Sequence, residues 1–340
     1  MTVQLARAPE VLTRISGIVQ PALRAAVSTM TDERMRLIAS YQMGWCDAAG
    51  RPTESGGKAI RPALAILSAE AVLGTPYCGI PGAVALELVH NFSLLHDDVM
   101  DRDVTRRHRP TGWVAFGEGD AILAGNALLT LAVQVLLDTG IEGRRSLPHL
   151  MNATQLLISG QSRDLYLEGR DAVGVHDVLA MEAGKTAALL ACAASIGALA
   201  AGAPQRIVDG LETFGHEVGM AFQLVDDVLG VIGDPQRTGK SSSSDVRAGK
   251  RSAPIVAAMT SGTPTGERLA ELFAAGPLED EDTVALATSL VEEAGGVDWA
   301  TREADERLAN ALRQLDELAL EEPGATGLAD IATYIVARDR

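Results

Sequence analysis

The 340-residue sequence is poor in several features that would point to particular classes of protein. It has three cysteines, Cys46, Cys78 and Cys192, an odd number with no C-x-x-C spacing, which argues against a disulfide framework and against a zinc site. Aromatic residues make up 4% of the chain and alternating apolar-polar runs are nearly absent, so little β-structure is expected. Basic residues are outnumbered. Lys+Arg 29 against Asp+Glu 45 leaves a formal charge of −16. Nucleic-acid binding is therefore not expected, because its sequence-independent affinity comes from Lys and Arg displacing counterions. The first residues, MTVQLARAPEV, lack the uninterrupted apolar stretch of a signal peptide, and a reducing cytoplasmic setting fits the cysteine usage. The most membrane-like run, 187–203 (AALLACAASIGALAAGA), is built mainly of Ala, Gly and Ser instead of Leu, Ile and Phe. It reads as a buried helix packed closely against its neighbours, not as an integral membrane span.

What is present is globular composition, 47% hydrophobic and 22% charged, arranged in long stretches with apolar residues at helical spacing. Residues 83–96, 121–137, 186–200 and 218–231 read as helices apolar nearly all round, the kind that belongs in an interior. Residues 304–318 (ADERLANALRQLDEL) carry one apolar stripe and a charged face, as an outer helix does. Breaks are expected near 50–57, 140–148, 169–174, 202–204, 233–251 and 261–266. None resembles an interdomain linker, so the expectation is one large all-α domain over 1–340. The sharpest change in composition is 233–251 (GDPQRTGKSSSSDVRAGKR), which reads as a mobile loop.

Three aspartates, Asp97, Asp98 and Asp101, stand in LLHDDVMDRD at the end of an otherwise apolar helix. Helical positions i and i+4 stack on one face, so Asp97 and Asp101 point the same way. Two carboxylates about 4 Å apart repel by roughly 4 kcal/mol at an effective dielectric near 20, and a positive group should offset that. Oxygen-only ligands suit Mg²⁺, which keeps several waters and is held by a few carboxylates together with substrate phosphates. An acid-acid-x-x-acid pattern arises by chance in a chain this acidic; what singles this one out is its apolar context. A second pair, Asp226 and Asp227, lies in VGMAFQLVDDVLGVIGD, again within an apolar helix, with Gln223 expected on the face of Asp226. The two acidic sets are expected to face one another across a cavity and share metal ions.

Cationic residues supply the complement. Lys58 and Arg61 follow a Gly pair in GGKAIRP, Arg106, Arg107 and Arg109 follow the first acidic set, Lys185 opens the Ala-rich helix, and Lys240 and Lys250 sit in the Gly/Ser-rich segment. Basic groups beside Mg²⁺ sites in an acidic protein are what a diphosphate substrate requires.

These segments together resemble the trans-isoprenyl diphosphate synthase (polyprenyl synthetase) family along nearly the whole chain. The likeness runs through GGKAIRP (56–62), LELVHNFSLLHDDVMD (86–101), TRRHRPT (105–111), GQSRDL (160–165), GKTAALL (184–190), FQLVDDVLGVIGD (222–234), TGKSSSSDVRAGKRSAPI (238–255) and a final LADIATYIVARDR. The resemblance implies the all-α isoprenoid synthase fold, a single large helical bundle around a central cavity, a homodimer, and condensation of an allylic diphosphate with isopentenyl diphosphate, in an enzyme using three Mg²⁺. It implies that Asp97 and Asp101 hold two Mg²⁺ with Asp98 in support, and that Asp226 holds a third with Asp227 nearby. Lys58, Arg61, His90 and Arg107 would bind isopentenyl diphosphate. Arg106, Lys185, Lys240 and Lys250 would bind the allylic diphosphate, and Thr186 and Gln223 would line the path of the developing carbocation.

Two positions depart from the family pattern: Gly230 stands where a third Asp is usual, and His108 where Gly is usual. For product length, Phe92 lies five residues, about 7.5 Å, before Asp97 on the same helix. With the smaller Ser93 beside it, this resembles geranylgeranyl (C20) synthases, with Val89 as the next candidate floor; farnesyl or longer products are the alternative. A class I terpene cyclase would share the fold but carry an Asn-Asp, Ser, Glu triad in place of VDDVLG. A non-catalytic subunit of a heteromeric synthase would lose the aspartates that are all present here.

Overall fold

The computed structural model describes residues 2–53, 59–168, 170, 172–233, 243–274, 276, 278 and 280–337. Apart from one short hairpin, its named elements are helical. They are α1 (Thr2–Ser28), α2 (Glu33–Gln42), α3 (Ile60–Leu73), α4 (Ile80–Met100), strands β1 (Thr105–Arg106) and β2 (Arg109–Pro110), α5 (Gly112–Phe116), α6 (Glu118–Leu137), α7 (Ile141–Leu167), α8 (Val175–Glu182), a π-helical turn (Ala183–Ala187), α9 (Ala188–Ala200), α10 (Gln205–Ile232), α11 (Ser244–Arg247), α12 (Ala253–Met259), α13 (Pro264–Ala274), α14 (Glu281–Glu293), α15 (Gly296–Asp316) and α16 (Gly324–Ala337). The all-α reading therefore holds. The chain forms two compact units: Met1–Thr154, Leu189–Gly215 and Gln314–Ile331 make the first, and Gln155–Ala188, His216–Arg313 and Ala332–Arg340 the second.

In the first unit α3 buries every residue from 62 to 71, and α4 buries most of its length up to Asp98. The Ala- and Gly-rich run behaves as its composition predicts. A Cβ on Gly197 of α9 would fall 1.9 Å from the Ala65 carbonyl oxygen of α3, so only a residue without a side chain allows this backbone approach. Small residues bring the helices together, and the helix is buried in protein.

The second unit has two apolar clusters. One gathers Leu167, Val178, Leu224, Val225, Val256, Ala300 and Val336; the other gathers Val231, Val246, Ile255, Leu269, Phe273 and Val291. The second cluster fastens α11, through Val246, against the end of α10 at Val231.

Two expectations are corrected. The break at 140–148 is confined to Gly140, whose φ of +76° ends the preceding turn; α7 starts at Ile141 and runs through Pro148. The helix expected from 186 starts at Val175 and reaches α9 through the π turn, so Lys185 lies inside a continuous helical run and does not open one.

Candidate active site

At the end of α4 the backbone is still helical, since the Asp101 amide donates to the Asp97 carbonyl at 2.8 Å. Asp97, half-buried, and Asp101, exposed, therefore share one face as the spacing predicted. Asp98 turns the other way and is fully buried. Its Oδ1 accepts from Arg106 Nε at 2.6 Å, while Oδ2 has no hydrogen-bond partner among the described residues. Burial pushes the Asp98 carboxyl above the usual range and Arg106 pulls it back. Asp98 thus holds Arg106 in place.

Arg106 reaches Asp98 because the chain reverses in the β1–β2 hairpin, with Arg106 paired to Arg109. The two loop residues both have positive φ, Arg107 at 51° and His108 at 60°, the signature of a tight two-residue turn in which glycine is favoured. That accounts for glycine being usual at His108. Replacing it (His108→Gly) is expected to stabilise the protein by about 0.5–1 kcal/mol in denaturant unfolding, because the left-handed conformation then carries no Cβ penalty. A loss of stability would show instead that the imidazole makes contacts worth more than that strain.

A second polar group lies deeper in the same unit. Arg61 Nη1 is 3.3 Å from His90 Nε2, Asn91 Nδ2 donates to the Glu87 carbonyl at 2.8 Å, and Arg61 Nε has no hydrogen-bond partner among the described residues. Loss of water, then the charges of Arg61, Arg107 and Arg106, hold the His90 imidazole well below its usual value, so it is neutral at physiological pH. Burial likewise raises Glu87 and lowers Arg61, with each charge opposing the shift of the other. For His90 the folded value lies below the unfolded one. Its contribution to stability is complete above about pH 6.5 and is lost as pH falls below that, because the unfolded chain takes up the proton more readily. Wild-type protein should therefore lose more thermal stability between pH 7.5 and 5.5 than His90→Gln; equal losses would mean that the ring is not held neutral.

Val89, Phe92 and Ser93 are all buried. The Phe92 ring meets His96 edge-on at 4.9 Å, and His96 Nε2 is 3.0 Å from the Ile122 carbonyl of α6. The Ser93 hydroxyl donates back to the His90 carbonyl at 2.9 Å.

In the second unit the π turn lies against α7 so closely that a Cβ on Gly160 would meet the Lys185 amide at 2.2 Å. Lys185 Nζ donates to Asp164 at 2.5 Å. Thr186 Oγ1 donates to Gln223 Oε1 at 2.7 Å, and Gln223 Nε2 donates to Asp227 Oδ1 at 2.7 Å. The second Asp227 oxygen accepts the Ala253 amide, at the start of α12, at 2.9 Å. Gln223, expected to share the face of Asp226, is therefore bonded to Asp227 one residue on. Burial pushes Asp227 up to about 6, against its hydrogen bonds. Beside it, Glu182 is also buried, and burial with the adjoining Asp227 carboxyl holds its own carboxyl well above the usual range. Asp226 is half-buried on the same helix. Lys250 is exposed, while Lys58 and Lys240 lie outside the described residues.

Sequence reasoning missed Glu87, Asp164 and Glu182. Asp164 stood in GQSRDL, and Glu182 precedes Lys185 by three residues, but the partner each one meets is set by packing between helices. Among the described residues no three His, Cys, Asp or Glu side chains are gathered into a metal cage.

The sequence matches the polyprenyl synthetase family over residues 45–291. The chain belongs to the polyprenyl synthetase family. This family member is accordingly a transferase of prenyl groups. It is 43% identical over 326 residues to the (2E,6E)-farnesyl diphosphate synthase of Mycobacterium tuberculosis, covering 94% of this chain and 90% of that one. It is equally, 43%, identical over 317 residues to the geranylgeranyl diphosphate synthase of the same organism, covering 92% and 89%. Among solved structures, the polyprenyl synthetase of Streptomyces coelicolor A3(2) superposes with a TM-score of 0.93 at 45% identity, covering 97% of this chain and 100% of that one.

Proposed function

We propose that this prenyltransferase condenses an allylic diphosphate with isopentenyl diphosphate and that its main product is geranylgeranyl diphosphate. The observation that carries the reading is the pair Asp97 and Asp101 on one face at the end of a buried helix, with Arg106 fixed alongside by Asp98. The oxygen-only donors fit Mg²⁺, which needs few protein ligands and keeps waters for a diphosphate to replace. Asp97, Asp101 and Asp226 are the residues that would hold it, with three ions as the expected complement. Bound there, Mg²⁺ would supply positive charge to a leaving diphosphate as the allylic C–O bond breaks.

The chain's own groups do the rest. Arg106 and Lys185 are each oriented by a carboxylate, Asp98 and Asp164, and present fixed positive charge to the allylic diphosphate. Arg61 and Arg107 bind the diphosphate of the second substrate, with neutral His90 able to accept or donate beside them. Gln223, locked by Asp227 and Thr186, presents polar atoms to the allylic cation without offering a free nucleophile. Val89 and Phe92 provide apolar surface that excludes water from the cation and limits the growing chain. The C20 assignment rests on bulky Phe92 five residues before Asp97.

Purified protein with labelled isopentenyl diphosphate, Mg²⁺ and five-, ten- or fifteen-carbon allylic starters should release a C20 diphosphate. A fifteen-carbon end product would transfer the assignment to farnesyl diphosphate. Hydrocarbon release from geranylgeranyl diphosphate alone would point to a cyclase, and no turnover by the purified chain to a subunit that needs a partner.

The working form is proposed to be a cytoplasmic homodimer. Three described helical segments, Tyr77–Met100, Glu118–Leu137 and Val175–Ala200, are long and apolar enough to cross a membrane; of the qualifying windows, only that of Glu118–Leu137 is mostly unburied, with 33% of it buried. Its exposed Ile122, Leu123 and Leu137 are proposed to be covered by a second copy. Light scattering of detergent-free protein should give twice the chain mass, whereas a requirement for detergent would favour a membrane.

A further inference from the structure

The β1–β2 hairpin has two residues in each strand, too few to hold a shape on its own, so its place is set by what grips it from outside. One grip is the ion pair of Arg106 with Asp98 on α4. Another is on α2. Tyr41, 6% exposed near the end of that helix, meets the segment 105–116 at three points. Its hydroxyl donates to the Pro110 carbonyl at 2.6 Å, the Arg109 guanidinium lies 4.3 Å over its ring, and the Phe116 ring stands edge-on to it at 5.2 Å.

The pairing of the strands explains why an outside donor is needed. The Thr111 amide donates to the Val104 carbonyl at 3.1 Å, so by the alternation of antiparallel ladders the next pair, Thr105 and Pro110, exchanges no hydrogen bonds. The Pro110 carbonyl therefore faces away from the partner strand, and the Tyr41 hydroxyl meets it there. Arg109, spread over the Tyr41 ring, also donates from Nη2 to the Cys46 carbonyl at 2.8 Å, just beyond the end of α2. The hairpin is thus docked on α2 by its second strand. Its first strand carries Arg106, in register with Arg109, and its turn carries Arg107. Phenylalanine at 41 would keep the ring contacts but drop the directional bond that fixes β2 along its own length.

We infer that Tyr41 is a positioning residue for diphosphate binding: from α2 it fixes β2, and through the pairing of Arg109 with Arg106 it sets where Arg106 and Arg107 stand at the end of α4. This rests on the reading of those two arginines as binders of the allylic and isopentenyl diphosphates.

Steady-state kinetics of the full-length protein with Mg²⁺ provide the test, with KM measured separately for the two diphosphates and folding verified by circular dichroism. Tyr41→Phe should raise both KM values together by about fivefold, the effect of one hydrogen bond, with kcat changed less than about twofold. Both rise because one hairpin carries both arginines, whereas a general loosening of the fold would not single out KM. Arg109→Lys keeps the charge but loses the planar guanidinium; it disturbs the same contact from the hairpin side and should raise both values by about threefold. On an Arg106→Gln/Arg107→Gln background Tyr41→Phe should add less than about twofold, because the groups it positions are gone. Wild-type KM values in folded Tyr41→Phe, or the full fivefold increase on the double-glutamine background, overturn the inference. If Arg106→Gln/Arg107→Gln itself leaves both KM values at the wild-type level, the assignment of the arginines fails; if it raises them and Tyr41→Phe does not, only the role of Tyr41 fails.

Discussion

Asp97→Ala should lower kcat by about 10²-fold or more while the protein remains folded. In the proposed reaction the barrier is charge separation: an allylic C–O bond breaks into a cation and an anion inside an apolar site. A factor of 10² corresponds to about 2.7 kcal/mol of transition-state stabilisation, the range seen when one group aimed at developing charge is removed. Asp97 is half-buried at the end of α4, outside the well-packed stretch of that helix, so alanine there creates no large cavity. The loss should therefore appear in kcat, with little change in unfolding midpoint. Asp98→Asn provides the contrast. It removes the charge that fixes Arg106 at 2.6 Å, so its effect should appear in both the allylic substrate's KM and in stability. Near-normal turnover by Asp97→Ala would mean that the α4 carboxylates do not carry the ionisation step.

What the sequence made legible here was whatever depends on period and residue size. The shared face of Asp97 and Asp101 follows from 3.6 residues per turn, and the close packing of α9 on α3 follows from its small residues. What stayed hidden depends on where separate segments meet. Asp98 finds Arg106 only because two left-handed residues reverse the chain at once, and Lys185 finds Asp164 only because Gly160 lets α7 touch the π turn. The choice of Asp227 over Asp226 as partner of Gln223 is another such case. Spacings of three and four both share a helix face, and the outcome is fixed by the Ala253 amide holding the other Asp227 oxygen. Pro148 misled because a proline signals a break only when the helix around it has too little else to hold it, whereas α7 continues to Leu167. The two departures from the family pattern have spatial explanations: His108 sits in a turn that glycine would suit, and Gly230 makes room for Asp245.

Phe92→Ala should lengthen the main product beyond that of wild type, proposed to be C20, and it should also cost about 3–5 kcal/mol of stability, the usual loss for removing a buried aromatic ring. The two effects have one origin. Phe92 is 6% exposed and lies edge-on to His96, which is itself seated over Gly125 of α6, so deleting the ring opens a void that the packed surroundings do not fill. An apolar chain growing along α4 from the Asp97 end toward its start can occupy that void, each added isoprene unit burying further methylenes at about 0.8 kcal/mol apiece. Ser93 offers no second barrier, because its hydroxyl is turned back to the His90 carbonyl; the next obstacle along the helix is fully buried Val89. Phe92→Leu removes less volume and guards against a variant that fails to fold. It should retain most of the stability and give a mixture of the wild-type product and longer ones. If folded Phe92→Leu and Phe92→Ala both keep the wild-type distribution, the floor lies elsewhere, and Val89→Ala becomes the variant that should lengthen the product.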